Sequence, residues 1–313
     1  MLSSTSTSSD QTNHRGVPRS PGISGTLLQI TPRQDMNYTE LYENIRRKGS
    51  FLCVGLDTDP AKIPACVRER HGDASMLAFN KAIIDATAPY TVAYKPNIAF
   101  YEAEGVSGWQ QLSETVRYIR TNYPDILIIA DAKRGDIGNT ADRYARAFFE
   151  TMDFDAVTLA PYMGSDSIRP FLRHSGRWGI VLAMTSNKSA EEFETLPLAD
   201  GMPLYERVIR NTVRNVDTEF GDSRERLMFV VGATRPEKLA EIRRYCPDHF
   251  LLVPGVGAQG GSLKEVARCG LNSHCGLLIN SSRGIIYASS GEDFAEAAAS
   301  KASEMADCMK AML

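Results

Sequence analysis

Eight short apolar runs punctuate the chain, and each ends in polar or glycine residues. They are FLCVGLD (51–57), YTVAYKPN (90–97), DILIIADAK (125–133), FDAVTLAPY (154–162), GIVLAMTSN (179–187), LMFVVGA (227–233), FLLVPGVG (250–257) and GLLINSSRG (276–284). Strands that are apolar along nearly their whole length are covered on both faces, and that is the habit of parallel sheets. Stretches with helical spacing separate the runs. SMLAFNKAIIDATAP offers Ser75 as N-cap, and SGWQQLSETVRYIRTN opens at Ser107. TRPEKLAEIRRYC pairs Thr234 with Glu237 in a capping-box pattern, and an Ala-rich helix closes the chain. Eight strands alternating with eight helices predict a (β/α)8 TIM barrel in residues 36–313, a length that suits a barrel of typically about 250 residues. The longest irregular piece, 188–203, follows the fifth run. It is either a lid on the catalytic face or a plain surface insertion.

Composition narrows the function classes. The hydrophobic fraction of 43% suffices for a large core. A net charge of −3 and a pI near 6.0 give no basic field for nucleic acid. Six cysteines without a C-x-x-C pair point to reduced thiols and a cytoplasmic protein. The histidines lack metal-ligand spacing, and His274-Cys275 is an isolated pair, so no metal is expected. No apolar run approaches the roughly 18 residues of a membrane span. Residues 1–35 are Ser/Thr-rich and lack the apolar segment of a secretory signal. They are expected to form a disordered extension, with folded structure beginning at Met36 in MNYTELYENIRRKG.

In such barrels the chemistry gathers at the C-terminal ends of the strands. The first run ends in Asp57 and the second carries Lys95. The third carries Asp131 and Lys133, with Asp136 just beyond. Asp131 and Lys133 are two apart, so a regular strand points both to one face, where each shifts the other's pKa. The fifth run ends in Thr185, Ser186 and Asn187. PGVGAQGG (254–261) and Arg283 follow the seventh and eighth, where barrels commonly hold a phosphate between backbone amides and an arginine fork. These residues describe a cofactor-free enzyme for a small phosphorylated substrate. Arg134-Gly135-Asp136 also spells an adhesion tripeptide, but that role needs secretion and an exposed loop. Arg134 itself is expected to be solvated.

The stretch DAKRGDIGNTA resembles the signature Asp-x-Lys-x-x-Asp of the orotidine 5′-monophosphate decarboxylase family, and specifically its longer bacterial subfamily. VGLD (54–57), YKPNIAFYE (94–102), TSN (185–187), VGATRPEKL (231–239), PGVGAQGG and SSRGIIYA (281–288) are similar as well. The resemblance implies a cofactor-independent homodimer with shared sites that makes uridine 5′-monophosphate. It implies Lys133 as proton donor to C6 of the pyrimidine, Asp131 beside the departing carboxylate, and Lys95 as the second lysine of the charge array. It implies Asp57 as a ribose ligand, with Asp136 and Thr140 reaching the neighbouring subunit's site. Ser186, with Thr185 beside it, would contact the pyrimidine, and Gln259 and Arg283 the phosphate. Competing readings are a Mg2+-dependent sugar-phosphate decarboxylase of the same barrel superfamily, a Schiff-base aldolase, and a silent nucleotide-binding barrel.

Overall fold

Asn37 caps the first helix: its side chain accepts from Glu40 N, and the Glu40 carboxylate accepts from Asn37 N, at 3.0 and 2.9 Å. This capping box satisfies two amides that the helix Tyr38–Lys48 would otherwise leave without partners. The computed structural model describes residues 36–256 and 261–313. The expectation for residues 1–35 lies outside the described residues.

The eight apolar runs form the strands β1 (Leu52–Leu56), β2 (Thr91–Pro96), β3 (Leu127–Arg134), β4 (Ala156–Leu159), β5 (Trp178–Met184), β6 (Leu227–Val231), β7 (Leu251–Pro254) and β8 (Leu277–Ser281). They close in chain order into one parallel barrel, with β8 paired to β1. Every residue of β1, β2, β4 and β6 is buried, as strands walled by helices outside and side chains inside require. The helix Phe294–Lys310 packs on Ser75–Thr87, where the Phe79 ring stacks between Tyr287 and Phe294 at 5.8 and 5.3 Å.

At the N-terminal end of the barrel the interior is sealed by polar groups with partners. Trp178 Nε1 donates to the Met36 carbonyl at 3.0 Å, which fastens the chain entry across β5. Asp155, fully buried, accepts from Arg120 at 2.9 Å and from the Ile128 amide at 2.8 Å.

Two expected caps do not form. Ser75 is the first helical residue of Ser75–Thr87, because a 3-10 turn, Gly72–Ala74, already leads into it. Pro236 opens the helix Pro236–Ile242 with Arg235 before it and no side-chain cap, which frees Thr234 to face inward. The helix read from Ser107 begins two residues earlier, at Gly105.

His249 is 4% exposed, with Nε2 2.9 Å from Ser223 Oγ and Nδ1 buried without a partner among the described residues. Burial pushes its pKa down to about 4. The unfolded imidazole accepts a proton below about pH 6.5, whereas the folded one resists until about 4, so added protons favour unfolding. Stability is expected to fall by on the order of 3 kcal/mol from pH 7 to 4 through this residue. Urea unfolding across that range should show the loss reduced in His249→Gln.

Candidate active site

The C-terminal mouth of the barrel holds an unbroken line of alternating charge. Lys95, at the end of β2, is 4% exposed, and its Nζ lies 2.7 Å from Asp131 Oδ2 and 3.9 Å from Asp57 Oδ1. Lys133 Nζ closes on the other carboxylate oxygen, Asp131 Oδ1, at 2.5 Å. The order is therefore Asp57, Lys95, Asp131, Lys133. Lys133 lies at the solvent end, its side chain 53% exposed.

Asp131 and Lys133 do meet, but not because β3 is regular. Lys133 has φ +47°, and the β3–β4 register shifts between Ala130 and Arg134. Left-handed backbone costs a non-glycine residue about 1 kcal/mol or more, so something must hold it. Thr158 of β4 does: its Oγ1 accepts from the amides of Ala132 and Lys133 at 3.0 and 2.9 Å. The same hydroxyl donates to Asp131 Oδ1 at 3.2 Å. One buried threonine thus fixes both the kink and the carboxylate. Thr158 is missing from the residues expected above. Its signal was a lone hydroxyl within the run AVTL.

The electrostatics follow from burial and pairing. Burial raises the Asp131 carboxyl pKa, but Lys95 and Lys133 outweigh it and hold it down at about 2. Burial works against the Lys95 ammonium, yet Asp131 and Asp57 overcome it and leave its pKa raised. Cys53 lies beneath the array, where burial pushes its thiol up to about 12, so it is an inert packing group.

Above the array opens a cavity of about 400 Å3. Lys95, Asp131, Lys133 and Thr158 form one wall, Thr185, Ser186, Asn187 and Thr234 another, and Leu182, Val230 and Leu252 an apolar floor. A polar rim around apolar flooring suits a flat, partly polar ring. Ser186 Oγ is shielded from solvent and has no hydrogen-bond partner among the described residues. It packs over Gly232, where a Cβ would lie 2.1 Å from the hydroxyl. The neighbouring Thr185 hydroxyl is already engaged by Glu194 and Asn187, at 2.8 and 2.5 Å.

The other expected residues fall in three places. Arg283 begins the short helix Arg283–Ile286 after β8 and is exposed. Gln259 lies outside the described residues. Asp136 and Thr140 stand on the segment after β3; Thr140 is exposed, and the Asp136 carboxylate accepts only from the Ile137 amide at 2.8 Å among the described residues. Within one chain Asp136 does not join the charge line.

Arg134 corrects its expectation. It is not a solvated side chain: it donates to Glu102 at 2.6 Å and to the Ala132 carbonyl at 3.2 Å. Its guanidinium lies 5.0 Å from the Tyr144 ring centroid and 5.5 Å from that of Phe148. Gly135 lies close against Ala160, where a Cβ would make a tight contact at 3.1 Å. A tripeptide held this way is a poor adhesion loop. The piece 188–203 folds back on the mouth: Glu194 accepts from the Thr185 amide, and Arg235 pairs with Glu191.

A closed parallel barrel with carboxylates and lysines interleaved at its strand ends has the form of a (β/α)8-barrel enzyme. Residues 50–298 match the model of the orotidine 5′-phosphate decarboxylase / HUMPS family. An orotidine 5′-phosphate decarboxylase of Bacteroides fragilis is 55% identical over 89% of this chain and all of its own length. One from Porphyromonas gingivalis is 56% identical over 86% of this chain and 95% of its own. Among solved structures, an orotidine-monophosphate-decarboxylase described as putative, from Toxoplasma gondii, is 37% identical with a TM-score of 0.76. It spans 88% of this chain and 97% of its own. The Leishmania donovani OMP decarboxylase is also 37% identical, with a TM-score of 0.72, over 88% and 99%. The chain belongs to the orotidine 5′-phosphate decarboxylase / HUMPS family.

Proposed function

We propose that this chain converts orotidine 5′-monophosphate to uridine 5′-monophosphate and CO2, as a cytoplasmic homodimer of the longer bacterial subfamily. The observation that carries the reading is the line Asp57, Lys95, Asp131, Lys133 at the rim of a cavity with an apolar floor. The named activity of relatives at 55–56% identity supports it.

The chemistry follows from charge. When the C6–carboxylate bond breaks, CO2 departs and the electron pair stays on C6 in an orbital that the ring π-system cannot delocalise. The Lys133 ammonium, held by Asp131, stabilises that pair by fixed electrostatics and then gives it a proton. The half-exposed lysine regains its proton from solvent. Asp131 stays ionised beside the departing carboxylate, and Lys95 keeps it so. Asp57 binds the ribose, Ser186 the pyrimidine, and Gln259 with Arg283 the phosphate. No metal or organic cofactor enters the scheme.

Asp136 and Thr140 serve the neighbouring subunit's site in this reading. Ile137 after β3 and Tyr162 and Met163 after β4 are 44%, 90% and 49% exposed, and in this reading they are apolar contacts offered to the second copy.

Loss of orotidine 5′-monophosphate is expected to proceed unchanged in EDTA. Activity lost in EDTA and restored by Mg2+ would favour the sugar-phosphate alternative. Substrate trapped on Lys133 by borohydride would favour the aldolase.

A further inference from the structure

We infer that Glu194 is a positioning residue for the substrate site, acting through Ser186. The inference rests on the reading that Ser186 contacts the substrate ring.

The argument begins with what holds the turn after β5. Residues 185–187 leave the strand and border the cavity, so their backbone decides where Ser186 points. Close packing on Gly232 places the Ser186 backbone, and a polar clasp holds the residue before it. The fixing group comes from outside the turn: one carboxylate oxygen of Glu194 accepts from the Thr185 amide at 2.7 Å, and the other accepts from the Thr185 hydroxyl at 2.8 Å. A bidentate carboxylate across an amide and a hydroxyl of one residue sets both its backbone and its χ1.

Glu194 is itself held. Its amide donates to the Ala190 carbonyl at 2.8 Å, and its carbonyl accepts from the Tyr205 amide at 2.8 Å, at the start of the helix Leu204–Phe220. The segment 188–203 therefore works as a strut between that helix and the β5 turn. The consequence falls on the next residue. With Thr185 clamped, the Ser186 hydroxyl is confined over Gly232, buried and without a partner among the described residues, at the cavity wall. A buried hydroxyl kept unsatisfied is poised to gain a hydrogen bond when a polar ring edge arrives. The clasp prevents the turn from relaxing to satisfy that hydroxyl elsewhere, so Ser186 is ready before the substrate binds.

The test is a double-mutant cycle on kcat/KM for orotidine 5′-monophosphate, with unfolding midpoints measured alongside. Ser186→Ala should cost about tenfold, the worth of one substrate hydrogen bond, and Glu194→Ala a similar factor. In the Ser186→Ala background, Glu194→Ala should cost less than about twofold more, because the group it positions is gone. Glu194→Gln keeps one acceptor and should recover part of the loss. Thr185→Val, which removes only the hydroxyl arm, gives the same cycle if Glu194→Ala does not fold. Glu191→Ala breaks a surface ion pair of the same segment and should leave kinetics unchanged. Equal losses from Glu194→Ala with and without Ser186 would overturn the proposal and leave the Ser186 contact standing. Wild-type kinetics in Ser186→Ala would remove the contact itself, and the proposal with it.

Discussion

Lys133→Ala is expected to lower decarboxylation by on the order of 10⁴-fold or more while the barrel stays folded. Two functions leave with one ammonium: the fixed positive charge that steadies the C6 electron pair, and the proton that ends its life. The fold does not depend on it. The Lys133 side chain is half exposed, and Asp131 keeps its tighter-buried partner Lys95. Circular dichroism and the unfolding midpoint should match wild type, and turnover near the wild-type rate would sink the proposed mechanism. Mixing this variant with Asp136→Ala chains tests the shared site. A heterodimer then holds one doubly damaged site and one intact site. Random exchange should restore roughly a quarter of wild-type activity in a two-fold dimer. No recovery after demonstrated exchange would confine Asp136 to its own chain.

Asp131→Ala is expected to damage both activity and stability. It leaves the Lys95 ammonium at 4% exposure, with Asp57 at 3.9 Å as the remaining carboxylate among the described residues. Breaking a buried pair from one side typically costs about 3–5 kcal/mol, because the abandoned charge is not resolvated. Asp131→Asn retains shape and an acceptor, and should cost less stability while still disarming Lys133. The pH dependence has a definite sign. The folded Asp131 pKa is about 2 against an ordinary 3.8, so folding favours the ionised form. Its contribution is complete above pH 4 and is lost as pH falls toward 2, by on the order of 2 kcal/mol. This window lies below that of His249, so urea unfolding resolved by pH separates them. Asp131→Asn should abolish only the lower one.

The barrel was legible because its signal is repeated eight times. Each apolar run became a strand, and the chain order became the sheet order. The charged strand ends were equally legible, since Asp57, Lys95, Asp131 and Lys133 have no packing reason to sit there. What escaped were features that depend on two segments at once. Thr158 carries no charge and looks like any β-branched strand residue; only its distance to the β3 amides marks it. Arg134 read as solvated because Glu102 comes from one segment and Tyr144 and Phe148 from another. The Thr234 cap failed because Pro236 can begin a helix with no help from a side chain. Glu194 lay in a stretch that read either as a lid or as a plain surface insertion, and nothing in it marked one carboxylate.

The kink at Lys133 bears on how such a site can be transplanted. The signature Asp-x-Lys is written on one strand, yet its geometry is supplied by a hydroxyl on the next one. Copied alone onto a foreign barrel, the tripeptide would relax to ordinary extended backbone, and the lysine would swing away from its carboxylate. The smallest portable unit is therefore a pair of adjacent strands with Asp131, Lys133 and Thr158 in register. A designer who scores single-strand motifs would discard the member that makes the other two work.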